Sequence, residues 1–253
     1  MNISLKTPLE IETIAEGGKI LAGIMEELEQ EVKPGVATAD LDRLAESLIL
    51  KYGGKCSFKD YETGPSEKFP ACICASLNET IVHGIPSKKI LASGDLLSID
   101  LGLCFKGFHA DMAETVGVGE VSGVAKKLLE VTQKSLWLGI KTIKPGKRFG
   151  DISAVIQKFS EKNGFNVVRD LCGHGIGRHL HEDPEILNYG KKGTGLKFVE
   201  GMVFCLEPML SVGTGKIRRD PDGSYKTADN SLSCHFEHTI AVTKNGARVL
   251  TVL

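Results

Sequence analysis

At an offset of 111 residues the chain matches itself. Lys33-Pro34-Gly35 falls on Lys144-Pro145-Gly146, Asp40 on Asp151, Leu41 on Ile152, Leu44 on Val155, Leu48 on Phe159 and Gly53 on Gly164. Each Lys-Pro-Gly separates two stretches with helical spacing of apolar residues, because proline ends the first helix and glycine turns the chain. The spacing predicts helices from Thr7-Pro8-Leu9-Glu10 to about Val32, from Thr38 to Tyr52, over Val124–Ile143, and over a stretch carrying Ile152, Val155, Ile156 and Phe159. Matching punctuation and matching apolar phase imply two structurally similar halves, about 1–118 and 119–253. We expect them to pack as one body over 1–253. Halves related by a pseudo-twofold axis would join their sheets along a seam, and a site there would draw side chains from both.

The rest of the chain reads as strands and turns. Strands are expected over 71–76, 96–103, 108–118, 166–171, 202–208 and 234–242, with a turn at Leu77-Asn78-Glu79, and residues 59–69 read as a polar loop. With 253 residues and 42% hydrophobic content, a sizeable core is available. A net charge of −1 argues against an extended nucleic-acid surface, and the short basic run 216–219 reads as a solvated loop. No apolar run reaches the roughly 18 residues needed to cross a membrane. The first residues, Met-Asn-Ile-Ser-Leu-Lys, lack a signal-peptide core. Seven scattered cysteines with no Cys-x-x-Cys read as small buried thiols, which suits a reducing cytoplasm.

Against this background a few charged groups stand where burial would be costly. Asp100 and Asp111 each sit among apolar neighbours on adjoining predicted strands joined near Lys106-Gly107. A turn centred between Phe105 and Lys106 would set the two directly opposite, and a turn on Lys106-Gly107 would set them on the diagonal. Two carboxylates that close repel, so one is protonated, or a base pairs with them, or they hold a metal. Neither strand offers a nearby lysine or arginine partner. Glu207 ends the apolar run Met202–Glu207, and Glu237 lies inside His235–Val242. His174 is flanked by glycines in Cys172-Gly-His-Gly-Ile-Gly-Arg178, which let the backbone come close and aim the imidazole. Four carboxylates balance two divalent cations, and oxygen-rich ligation with one imidazole suits Mn, Fe or Co better than a thiolate zinc site. Two such ions a few ångströms apart can share a hydroxide, which is the equipment of a hydrolase. His83, in Ile-Val-His-Gly-Ile-Pro, reads by itself as a core histidine. The glycine string lacks the spacing of a phosphate loop.

These stretches together resemble the type I methionine aminopeptidases. The resemblance rests on Ser76-Leu-Asn-Glu-Thr-Ile-Val-His-Gly-Ile-Pro86, Ile99-Asp-Leu through Gly107-Phe-His-Ala-Asp111, Gly173-His-Gly-Ile-Gly-Arg178, Phe204-Cys-Leu-Glu-Pro-Met209 and Phe236-Glu-His-Thr-Ile240, and covers essentially the whole chain. It implies an α/β (α+β) fold of the pita-bread type: two pseudo-twofold-related halves with a curved antiparallel sheet covered by helices. It implies hydrolysis of the first peptide bond after an N-terminal methionine, by metal-bound hydroxide and with a small second residue favoured. It implies two divalent metal ions (Co, Mn, Fe or Zn), with Asp100 on one, Asp111 and Glu237 bridging, and His174 and Glu207 on the other. Glu207 would also carry protons, and His83 and His181 would be catalytic, substrate-binding histidines rather than ligands. Tyr61, Phe69, Cys74, Leu180 and Tyr225 would line the methionine pocket. Leu180 and Tyr225 depart from the aromatic and the tryptophan common there, and residues 62–68 look inserted at the pocket rim. The implied partner is the N-terminal methionine of nascent polypeptides, near the ribosome; no specific nucleic acid and no membrane are implied, and a monomer is expected. No zinc-finger extension is expected before Met1. The rivals are a prolidase-type enzyme on the same fold, which normally carries an extra N-terminal domain, and a metal-free relative that binds peptide or ribosomal RNA.

Overall fold

A computed structural model describes residues 3–64 and 67–253. Readings that involve residues 1, 2, 65 and 66 lie outside the described residues.

The four expected helices form at the 111-residue offset. α1 spans Pro8–Glu31 and α2 Thr38–Lys51; α3 spans Gly123–Thr142 and α4 Phe149–Lys162. The repeat reaches the hydrogen bonds. Asp40 accepts the Ala37 N–H at the start of α2, and Asp151 accepts the Arg148 N–H at the start of α4. Those carboxylates satisfy backbone donors that a helix start leaves free. Gly35 and Gly146 (φ +95° and +81°) and Gly53 and Gly164 (φ +76° and +88°) all take the left-handed conformation that glycine adopts without steric cost. At α1 the Thr7 side chain accepts the Glu10 N–H while Glu10 accepts the Thr7 N–H, a reciprocal cap.

The helices cover a nine-stranded antiparallel sheet. Its order runs Lys55–Cys56, Leu96–Phe105, Phe108–Gly117, Glu237–Thr243, Val203–Leu206, Gly173–Gly175, Glu182–Ile186, with Ile73–Leu77 also on Leu96–Phe105 and Gly246–Val249 also on Glu237–Thr243. The halves meet where Glu237 pairs with Ala113 and His238 with Met112. On the first-half side Leu97, Ile99, Leu101 and Leu103 alternate toward α1 and α2, in a core with Ile14, Leu21, Ile24 and Leu41. Period-two alternation turns Ser98, Asp100 and Gly102 to the opposite face. A second core packs Leu128, Leu136, Ile152 and Ile156 of α3 and α4 on Phe204, Leu206, Ile240 and Val242.

Several expected elements change. Residues 166–171 keep only the strand Asn166–Val167, and 234–242 divides at Phe236 into Ser233–His235 and Glu237–Thr243. The basic run is no loop: Ile217–Arg219 pairs with Tyr225–Thr227, which pairs in turn with Thr80–Val82. The expected loop 59–69 contains the strand pair Glu62–Gly64 and Glu67–Lys68. Cys56 and Cys72 are not free thiols but a disulfide, with Cα atoms 5.1 Å apart. Both neighbourhoods pair with the same strand, Cys56 opposite Leu103 and Ile73 opposite Leu101, which brings the two sulfurs together. The other five cysteines are free. Among the described residues no helix is long and apolar enough to cross a membrane.

Candidate metal centre and substrate cleft

The hairpin resolves the register left open above. Phe105 pairs with Phe108 around Lys106-Gly107, both at positive φ (+50° and +82°), as a two-residue turn of primed type requires. Asp100 therefore lies opposite Ala113, and Asp111 opposite Gly102, so the two acids stand on the diagonal. The seam places Glu237 beside Ala113, which is the residue opposite Asp100 and two along from Asp111. Glu207 follows the strand Val203–Leu206, and His174 lies in Gly173–Gly175, next to that strand. The glycines around His174 are a packing requirement: a Cβ on Gly173 would collide with the Cys205 carbonyl, and one on Gly175 with that of Asp183.

Asp100, Asp111, Glu207 and Glu237 are all buried, from 2% to 9% exposed. Among the described residues no lysine or arginine forms an ion pair with any of them. The Asp100 Oδ1, Asp111 Oδ1 and Glu237 Oε1 atoms are buried without a hydrogen-bond partner. Burial is the first cause that raises every one of these carboxyls. It takes Asp100 to about 6; Asp111 and Glu237 go well above the ordinary range, with neighbouring carboxylates adding to the effect. Glu207 is raised by burial and then by Asp100. Unpaired buried carboxylates are tolerable when a cation binds them, so the donor set fits divalent metal.

The histidines fit as well. His174 Nδ1 donates to the Gly175 carbonyl at 2.9 Å, which leaves Nε2 free, 3.7 Å from Glu207 Oε1. Holding the far nitrogen in this way is how proteins fix a ligating imidazole. Burial holds the His174 pKa down at about 3, so the ring is neutral. One ligand atom each from Asp111, His174, Cys205 and Glu237 lies within 4.8 Å of the others, and the same holds for Glu207, His235 and Glu237. Burial, then Glu237 and Asp111, push the Cys205 thiol far up, which makes it a poor ligand.

All the expected site residues line one cleft of about 1020 Å³: the four acids, His174, His83, His181, Tyr61, Phe69, Cys74, Leu180 and Tyr225. His181 stacks edge-on against His174, ring centres 4.3 Å apart, and its Nδ1 meets the Tyr61 hydroxyl at 2.6 Å. His83 is no ordinary core histidine. Its φ of +60° is a conformation that side chains other than glycine rarely adopt, and its ring meets Tyr225 edge-on at 5.7 Å. Its side chain is exposed to the cleft, yet desolvation by the surrounding protein lowers its pKa to about 4. Backbone strain of this kind concentrates at functional sites. Two residues beside the site, one lining the cleft and one buried behind its acids, escape the sequence reading. Phe58 closes the pocket against Phe69, with ring centres 6.4 Å apart. His235 is 1% exposed and 3.6 Å from Glu207 Oε2. Its spacing of two residues from Glu237 in an apolar run was a usable signal.

Comparison with known proteins identifies the family. The family model for metallopeptidase family M24 matches residues 12–244. The chain is 46% identical over 252 residues to methionine aminopeptidase of Clostridium acetobutylicum, covering 99% of both chains. It is 44% identical over 250 residues to methionine aminopeptidase 1 of Bacillus subtilis, covering 98% of this chain and 99% of that one. Among solved structures, methionine aminopeptidase from Thermotoga maritima superposes with a TM-score of 0.96 at 42% identity, with full coverage of both chains. Prolidase from Pyrococcus furiosus, at 23% identity and TM-score 0.78, shares the fold over 98% of this chain and 65% of its own. The curled sheet under two helix pairs is therefore the pita-bread fold, and the chain, a metallo-exopeptidase by its relatives and its acid cluster, belongs to metallopeptidase family M24.

Proposed function

We infer that this metallopeptidase removes N-terminal methionine from nascent proteins and peptides, and that the chain acts as one catalytic unit over 1–253. The observation that carries the reading is the convergence of unpaired acids and histidines from both halves in one cleft that also holds an apolar pocket. Divalent ions, two of them on this reading and drawn from Mn, Fe, Co or Zn, would be held by Asp100, Asp111, His174, Glu207 and Glu237. Bound cations supply Lewis acidity and a water made acidic enough to attack at neutral pH.

The chain's own groups do the rest. The methionine side chain enters between Tyr61, Phe69, Cys74, Leu180 and Tyr225; its unbranched thioether suits a pocket of aromatic and thiol groups. His181 donates from Nε2 to the scissile carbonyl, since its Nδ1 is engaged by Tyr61. His83, set by its strained backbone on the Tyr225 side, holds the scissile amide. Glu207 moves the proton from the attacking water toward the leaving amine. A narrow mouth favours a small second residue. The site of action is the cytoplasm near the ribosome, and the enzyme works as a monomer. The test is activity on Met-Ala-Ser after chelation, titrated with Mn, Co, Fe and Zn, beside Gly-Pro and Xaa-Pro peptides. Selective restoration on Met-Ala-Ser is expected; cleavage of Xaa-Pro alone would replace this reading with a prolidase.

A further inference from the structure

His235 is not among the residues that the resemblance marks as ligands, and the reaction above makes no use of it. Its imidazole is 1% exposed, and neither ring nitrogen has a hydrogen-bond partner. Its Nε2 lies 3.6 Å from Glu207 Oε2 and 3.8 Å from Glu237 Oε2, beyond the range of a hydrogen bond to either. A buried ring with two unmet nitrogens is costly unless something absent from the polypeptide completes it.

The spacing says what that is. Donors that share one cation lie about 2.1 Å from it, so they stand ~3–4 Å from each other. The pair already read as co-ligands, His174 Nε2 and Glu207 Oε1, is 3.7 Å apart. His235 has the same relation to Glu207 and Glu237. Its backbone is anchored independently of any ion: the His235 N–H donates to Thr115 Oγ1 at 2.9 Å, and that hydroxyl donates to the His235 carbonyl at 2.7 Å. Thr115 belongs to the first-half hairpin, so the position is fixed across the seam. One strand ends at His235 and the next begins at Glu237, and the side chains of these two residues converge with that of Glu207.

We propose that His235 Nε2 is a sixth protein ligand of the metal centre, binding the cation held by Glu207 and Glu237. The proposal rests on the metal-dependent reading above and adds a second imidazole to its donor set. Two imidazoles shift preference from Mn toward Co and Zn.

The test uses the full chain, stripped of metal and titrated with Co(II), in parent, His235→Ala and His235→Gln proteins. Calorimetry and the visible Co(II) spectrum are read directly, without activity. Loss of the imidazole is expected to weaken one Co(II) site by more than the ~10–100-fold that loss of an outer-shell partner costs, and to move its absorption bands. The Co(II)-loaded parent should also show two strongly shifted imidazole N–H proton resonances, from His174 and His235, and each variant one. Unchanged affinity and spectrum in a variant with the parent's metal-free circular dichroism would overturn the proposal. If neither variant folds, the parent decides: two shifted resonances support the assignment and one overturns it. A parent that binds no divalent metal sinks the functional reading itself. A parent that binds Co(II) and cleaves Met-Ala-Ser, with variants that bind Co(II) as well as it does, sinks only the role of His235.

Discussion

The strand Phe108–Gly117 puts an acid on each of its faces, and the two faces solve one problem differently. On the cleft face Asp111 looks at Glu237, Asp100 and Glu207. On the helix face Glu114 lies against Glu29 of α1, and burial, followed by a hydrogen bond and charge from Glu29, raises its pKa to about 8. Like charges out of water repel on both sides. On the helix face a single proton shared by two carboxyls removes the repulsion and leaves one buried oxygen, Glu29 Oε1, without a partner. On the cleft face four carboxyls leave several oxygens orphaned even when protonated, and only a multivalent cation satisfies them together. Buried acid by itself therefore does not mark a metal site; the number of acids, and the neutral imidazoles aimed among them, do.

The comparison can be broken most directly at the cleft face. Replacing Glu207 by Gln, or His174 by Ala, should reduce turnover of Met-Ala-Ser by ~10³-fold or more while far-UV circular dichroism stays as in the parent. Either variant turning over near the parental rate would remove that residue from the centre. Next in size is His181→Ala, which touches substrate rather than metal on this reading. Its kcat should fall roughly 10²-fold with metal content unchanged; a variant that instead loses metal would make His181 a ligand. A smaller effect is expected from Tyr61→Phe. It deletes the 2.6 Å contact that holds His181 Nδ1, so kcat should drop by about 10-fold with KM for a methionyl peptide changed less. A rise in KM alone would confine Tyr61 to the pocket wall.

The helix face should respond in the opposite sense, and least. A carboxyl whose pKa is raised on folding stabilises the fold fully below its unfolded value, here 4.5, and that contribution is lost as pH rises to about 8. Glu114→Gln should therefore flatten the decline of Tm between pH 5 and 8.5 and stabilise the protein at the upper end by on the order of 1–2 kcal/mol, less than the full shift implies because the pair is partly solvated. Added divalent metal should not reproduce that gain. If it does, the two faces are not chemically distinct and the contrast fails.

Much of this was readable before any coordinates. Helix pairs announce themselves through local signals: apolar spacing, a carboxylate three residues into α2 and α4, and a Pro-Gly stop, all repeated at one offset. The four expected acid ligands were visible because each is a polar group in an apolar run, which needs an explanation wherever the run is buried, and His174 because glycines flank it. What escaped depends on partners far along the chain. The strands Glu62–Gly64, Glu67–Lys68 and Ile217–Arg219 carry no apolar alternation, so their polarity read as loop; they are strands because other strands offer them backbone partners. The Cys56–Cys72 link follows from two segments sharing one sheet edge, which spacing alone does not reveal. The diagonal of Asp100 and Asp111 hung on a one-residue choice of turn, and a hairpin accepts either until its register is set.

By itself the amino-acid order determined that there are two alike halves, which elements build them, and that a handful of acids and one glycine-flanked histidine are too costly to bury unaided. Periodicity and the free energy of desolvation are properties of each short stretch, so they survive without a fold. Tertiary structure alone decided that the acids meet across the Glu237–Ala113 seam, that Tyr61 reaches His181 over 120 positions of chain, and that His235 stands at ligand distance from two carboxylates. Distances between groups far apart in sequence are set by packing and strand register, which no local pattern encodes.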